Sequence, residues 1–178
     1  LPHDEAVKTL GEIQKINPNL VNPQIEWFLS QRREMENKVR ELFIKKGGKP
    51  KRAFPYYMTV GEDKYLSTWF NEPCSLKIDI SEFDLDTVSF TYGDMFPVFN
   101  PKLNDGKEYR NNVYKYDEIV KIIEKYGYPE EIEYSFREKI YPPDAPVNHY
   151  LKFVEAHIWD DETVARFRHS WLSDHLRK

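Results

Sequence analysis

A chain of 178 residues, 40% hydrophobic and 15% aromatic, is long enough to bury one core and short for two, so a single domain over 1–178 is expected. Charged residues make up 31% and sum to a net charge of −4, which argues against disorder and against coating nucleic acid or an anionic membrane by bulk charge. One cysteine, Cys74, excludes an intrachain disulfide and a cysteine-built zinc site, and a cytoplasmic protein is the natural expectation.

No run of 18 apolar residues occurs, so no membrane partner is expected. The first residues lack the basic-then-apolar layout of a signal peptide, while Leu1 implies a trimmed or processed start. Along residues 4–16, Asp4 is placed to cap a helix carrying Val7, Leu10, Ile13 and Ile16, with Gly11 weakening it and Asn17–Pro18 ending it. Residues 1–22 then form a peripheral helical arm. The second helix has Asn22 as cap, Pro23 at the first position and a stripe of Phe28, Met35, Val39, Leu42 and Phe43, with Gly47–Gly48 as its stop. Arg32, Arg33, Glu36, Lys38 and Arg40 read as its wet face. Lys45, Lys46, Lys49, Lys51 and Arg52 follow as the one basic cluster, read either as a solvated helix end or as a nucleic-acid patch.

From Phe54 the pattern changes to strand. Residues 54–60 are aromatic and β-prone, 75–80 alternate through Leu76, Ile78 and Ile80, and 87–92 alternate through Val88, Phe90 and Tyr92 before Gly93–Asp94. Residues 97–112, with Pro97, Pro101 and Asn104–Asp105–Gly106, read as a long exposed loop and a candidate lid. A helix from Asp117 to Tyr126 is stopped by Gly127, and Ile132, Tyr134 and Phe136 then alternate as a strand with one wet face. The turn Tyr141–Pro146 leads into 150–159, where Leu151, Phe153, Glu155, His157 and Trp159 share one parity and Val154, Ala156 and Ile158 the other. A strand apolar on both faces is central and covered. Asp160–Asp161 then open a last helix with Val164, Phe167, Trp171 and Leu172 on one side. The order predicts an α+β fold: a mainly antiparallel sheet with N-terminal helices and a C-terminal helix packed on it.

Glu155 is the residue that stands out, because an ionised carboxylate inside such a strand costs several kcal/mol unless a cation, a metal or a proton meets it. No Gly-x-Ser-x-Gly elbow, phosphate-binding Gly-rich loop or Gly-x-Gly-x-x-Gly run is present. None of the five histidines has another four residues away, so a histidine-only zinc site lacks local support. Glu155-x-His157-x-x-Asp160–Asp161 gathers oxygen and nitrogen ligands suited to Mg²⁺ or Mn²⁺, or simply a helix cap. Pro143–Asp144, ten residues, then Glu155-x-His157 resembles the Pro-Asp…Glu-x-Lys layout of metal-dependent nucleases, with histidine in place of lysine.

A second resemblance is carried by Ser89-Phe90-Thr91-Tyr92-Gly93-Asp94 after an alternating strand, by Phe54-Pro55-Tyr56-Tyr57 after a basic stretch, and by a late apolar strand with a central Glu. Over roughly residues 50–160 these resemble the C-terminal half of DarT-type ADP-ribosyltransferases, toxins that attach ADP-ribose from NAD⁺ to nucleobases. The resemblance implies NAD as donor, nucleic acid as partner, and Arg52 and Glu155 in catalysis. The chemistry of the residues adds Arg52 against the pyrophosphate, Tyr56 or Tyr57 stacked on nicotinamide or base, and His157 beside Glu155 on the same strand face. The family's N-terminal His-x-Thr element has no counterpart in residues 1–50. The remaining expectation is a non-catalytic domain whose tyrosine-rich surface meets a protein partner, with Glu155 in a buried ion pair and His157 a satisfied core imidazole.

Overall fold

Three of the β-prone runs pair into one antiparallel sheet in the computed structural model, which describes residues 2–18, 21–67, 74–103, 105–129 and 153–175. Strands β1 (Tyr56–Thr59), β2 (Val88–Thr91) and β3 (Glu155–Ile158) lie in the order β1-β3-β2. The run that is apolar on both faces takes the centre, and all of β3 is buried. Tyr57 and Ser89 sit opposite His157 from the two sides, and Thr59 and Thr91 sit opposite Glu155. A bridge between Phe90 and Tyr114 extends the β2 edge. Both neighbours of β3 turn just beyond Glu155. The Thr59 hydroxyl donates to the Gly61 carbonyl at 2.8 Å and the Thr91 hydroxyl to the Gly93 carbonyl at 2.7 Å. Each glycine holds a positive φ that side chains disfavour.

Helices α1 (His3–Ile16) and α2 (Ile25–Lys45) precede the sheet, α3 (Lys64–Ser67), α4 (Met95–Phe99) and α5 (Tyr116–Tyr126) interrupt it, and α6 (Glu162–His175) follows. The fold is α+β, as the element order predicts. The N-terminal helix α1 contacts α2, with His3 Nε2 3.0 Å from the Glu26 carboxylate. Val39 and Phe43 of α2 are fully buried in one apolar cluster with Val88, Phe90, Ile119 and Trp159. The start of α2 lies two residues later than its cap residue suggests, because Asn22 Oδ1 accepts from Gln24 N in a turn ahead of the helix. At α5 half of a capping box is made: the Glu118 carboxylate accepts from Lys115 N at 2.8 Å, while Glu118 N donates to the Lys115 backbone carbonyl, and Gly127 ends the helix at φ 81°.

Gly48 closes the turn after α2 by donating its N–H to the Phe43 carbonyl at 3.0 Å. An added Cβ would stand 2.5 Å from three atoms of the Phe43 ring, which has no room to move in the core. Gly48→Ala is therefore expected to destabilise by about 1–3 kcal/mol. In a chain of this size that lowers the melting temperature by roughly 2–10 °C. A thermal melt within a degree of the parent would show that the ring gives way.

Three expectations are corrected. Residues 75–79 keep the predicted alternation of exposure, with Ile78 and Ile80 packed on the core, yet they form no strand, because among the described residues nothing pairs with them. They run into a 3₁₀ turn at Ile80–Glu82, capped by Asp79 accepting from Ser81 N. Residues 97–112 are not wholly an exposed loop: the segment is anchored on both sides of the exposed Pro101, Lys102 and Gly106–Glu108. They begin inside α4, bury Val98, Phe99 and Tyr109, and are tied down by Arg110, whose guanidinium pairs with Asp105 and donates to the Pro97 carbonyl. Their aromatic and aliphatic side chains anchor the segment that the prolines and Asn-Asp-Gly made look free. The wet face of α2 is also not wholly wet, because Glu36 is 2% exposed. The predicted strand at Ile132–Phe136, the turn Tyr141–Pro146 with Asp144, and Leu151 lie outside the described residues.

Candidate functional site

Glu155 occupies the end of the central strand where both partner strands turn away, with its side chain 9% exposed. Its hydrogen-bond partners come from α4 and from its own strand. Asp94 caps α4 by accepting from Phe96 N, which aims the next backbone N–H, that of Met95, at Glu155 Oε2 over 3.0 Å. His157, two residues along on the same face, brings Nε2 to 3.2 Å from the same Oε2. Both hydrogen bonds thus converge on one oxygen, and among the described residues none reaches Oε1.

The imidazole is itself held from the neighbouring strand. Ser89 Oγ lies 3.3 Å from His157 Nδ1, and Trp159 Nε1 donates to Ser89 Oγ at 2.8 Å. Ser89, His157 and Trp159 are all fully buried. From β1 the Tyr57 ring meets His157 edge-on, with centroids 5.7 Å apart, and its hydroxyl donates to Glu36 Oε1 at 2.6 Å. Glu36 also takes Arg33 Nη1 at 2.7 Å and Arg32 Nε at 3.4 Å, and the Arg32 guanidinium covers the Tyr57 ring at 4.0 Å. Burial drives the Tyr57 hydroxyl well above its usual range. Burial also opposes the charge on Arg32, but Tyr57, Glu36, Glu155 and Asp94 together outweigh it and hold its pKa above the ordinary value. One carboxylate, Glu155, is therefore fixed by two donors beside an aromatic ring and a guanidinium, with one oxygen uncommitted among the described residues.

The predicted site residues divide into two groups. Glu155, His157 and Tyr57 are brought together. Arg52 and Tyr56 are not: Arg52 Nη1 pairs with Asp161 and bonds the Tyr56 hydroxyl at 3.2 Å, and that hydroxyl donates to Asp161 at 2.8 Å. The backbone N–H of Arg52 binds the Trp159 carbonyl at 3.0 Å, at the opposite end of β3 from Glu155. Four residues of extended chain separate the two ends, roughly 13 Å at ~3.3 Å each. Tyr56 and Tyr57 are strand neighbours and so point to opposite faces. Arg52 and Tyr56 therefore do not reach the groups around Glu155.

Four of the five cations in the basic run are paired, Lys45 being the exception among the described residues. Lys46 meets Glu118, Lys49 meets Asp86, Lys51 meets Asp160 and Arg52 meets Asp161. Asp160 and Asp161 thus hold cations at the mouth of α6, and Asp160 stays below the usual carboxylate range despite its burial, through Lys51. Among the described residues no three His, Cys, Asp or Glu side chains are gathered to hold a metal ion, and Asp144 lies outside them. No helix among the described residues is long and apolar enough to cross a membrane.

Glu36, Arg32, Ser89 and Trp159 were not singled out from the sequence. Arg32 and Arg33 at four and three residues before Glu36 look like an ordinary exposed ion ladder. Ser89 and Thr91 look like the wet face of a half-buried strand. A signal existed nonetheless: small hydroxyl residues alternating with Val88, Phe90 and Tyr92 suit a strand whose polar face must meet the buried Glu155 and His157. No protein-family model matches the chain, and no curated protein or solved structure is significantly similar to it.

Proposed function

We propose that the chain is an ADP-ribosyltransferase-like domain that uses NAD⁺ as donor and nucleic acid as acceptor, with Glu155 as its working carboxylate. The observation that supports this reading is the asymmetry of that carboxylate: two donors fix Oε2 while, among the described residues, Oε1 has no hydrogen bond. NAD⁺ would supply a glycosidic bond whose cleavage leaves positive charge on the ribose. Glu155, held in place before any ligand arrives, opposes that charge and orients an incoming nucleophile. Tyr57 offers a ring for stacking, and Arg32 an anion-seeking group beside it. Of the two residues matched by resemblance only Glu155 is kept, with His157 and Tyr57 beside it. Arg52 and Tyr56 belong to the other end of the strand in this reading. A cytoplasmic setting agrees with an exposed free thiol at Cys74.

The test is incubation with NAD⁺ at millimolar concentration. A raised melting temperature, release of nicotinamide and transfer of labelled ADP-ribose to single-stranded oligonucleotides are expected. An unchanged melt with no nicotinamide released overturns the proposal.

A second reading, a non-catalytic domain that binds a protein, is supported by the apolar side chains that α1 and α2 leave outside. Ile16 is 86% exposed and Trp27 57% exposed. Under it Glu155 and His157 serve stability alone.

A further inference from the structure

Serine, imidazole and carboxylate in hydrogen-bonded sequence are the parts of an acyl-transfer triad, in which the carboxylate orients the imidazole and the serine reacts. Here the order of access is reversed. Ser89 and His157 are sealed, and the carboxylate of Glu155 is the end that retains exposure. The indole N–H of Trp159 can only donate, so Ser89 Oγ accepts it. At the other end of the ring the Glu155 carboxylate accepts, so Nε2, 3.2 Å from Oε2, carries the ring proton. In the neutral ring Nδ1 is then an acceptor, and the remaining proton of Ser89 Oγ, 3.3 Å away, is directed to it.

We infer that Trp159, Ser89 and His157 form an inverted triad, a directional relay in which the buried hydroxyl locks His157 as the neutral Nε2–H tautomer and His157 acts as the positioning residue for Glu155. Each link donates toward the carboxylate: indole to hydroxyl, hydroxyl to imidazole, imidazole to Oε2. The Tyr57 ring, edge-on to His157, keeps the imidazole from turning. The pairing register makes the relay possible, since Ser89 lies directly opposite His157. The consequence is that Oε2 is permanently engaged and the carboxylate presents Oε1. This role at Glu155 rests on the transferase reading, whereas the tautomer does not.

Long-range proton–nitrogen NMR of the full chain at pH 7, with the His157 ring located by its contacts to the Trp159 and Tyr57 rings, reads the tautomer directly. The Nε2–H form is expected, and an Nδ1–H form or an imidazolium overturns the relay whether or not the protein acts on NAD⁺. Ser89→Thr keeps the hydroxyl and should keep both the tautomer and the kcat of nicotinamide release. Ser89→Ala should lower kcat on the order of tenfold with KM for NAD⁺ little changed. Trp159→Phe, which keeps a large ring but removes the N–H, should do the same and serves as the second variant should Ser89→Ala fail to fold. If folded Ser89→Ala or Trp159→Phe turns over NAD⁺ at the parent rate, the positioning role is wrong. If the parent releases no nicotinamide at all, the transferase reading fails and the tautomer result still decides the relay.

Discussion

Glu155→Gln is expected to fold like the parent and to lose nicotinamide release by about a thousandfold or more, the scale on which a charge-stabilising group acts in a closed site. The substitution is unusually clean for a structural reason. Both donors, Met95 N and His157 Nε2, reach the same oxygen. A glutamine can put its carbonyl there and its NH₂ where Oε1 was, so no donor is orphaned. Exchanging two charge-assisted hydrogen bonds for neutral ones costs about 1 kcal/mol each, partly offset because a charge no longer has to be buried. Stability should therefore fall by no more than about 2 kcal/mol. Glu155→Ala, by contrast, leaves two buried N–H groups without their acceptor and should cost about 1–3 kcal/mol for each. Thermal melts and a nicotinamide assay on the same preparations separate the effects. A Glu155→Gln protein that still releases nicotinamide at the parent rate would remove Glu155 from the chemistry.

Glu36→Ala should be the most destabilising change among the charged positions of α2. Glu36 is 2% exposed and takes Tyr57, Arg33 and Arg32 at 2.6, 2.7 and 3.4 Å. Removing one partner of a buried ion pair costs about 3–5 kcal/mol when the remaining charge is trapped. Here the guanidinium groups have an exit, since Arg32 is 29% and Arg33 20% exposed, so about 2–3 kcal/mol is expected, or roughly 5–10 °C in melting temperature. Glu36→Gln, which keeps an acceptor for the Tyr57 hydroxyl, should cost less than Glu36→Ala. Urea unfolding of the two variants checks the order. A loss below about 1 kcal/mol for the alanine would mean that the cluster is held by Tyr57 packing alone.

The candidate site was legible where burial conflicted with residue type. Glu155 and His157 stood out because the run around them is apolar on both faces, and the sheet places that run at its centre. Glu36 did not stand out, because a Glu between arginines at helical spacing has the same sequence signature exposed or buried. Arg52 was attached to Glu155 through resemblance alone. The register instead delivers Arg52 to Trp159 and Asp161, because β1 runs antiparallel to β3 and the segment leading into it lies at the far end. Alternation at 75–80 correctly separated the half-buried side chains from the exposed ones, but it could not supply a strand to pair with them.

What the sequence determined by itself is local and periodic: four of the helices (α1, α2, α5 and α6, but not the short α3 and α4), the three strand-forming runs, the α+β class, and the presence of an acid and an imidazole on one apolar strand. These follow from side-chain spacing, capping residues and turn residues, each set by neighbours within a few positions in the chain. Only the tertiary structure decided which groups meet that acid. Ser89, Tyr57, Met95 and Arg32 come from four different elements, and their meeting depends on strand register and on where a helix begins. A register shift of one residue would turn Ser89 and Tyr57 to the other face and leave the local pattern unchanged.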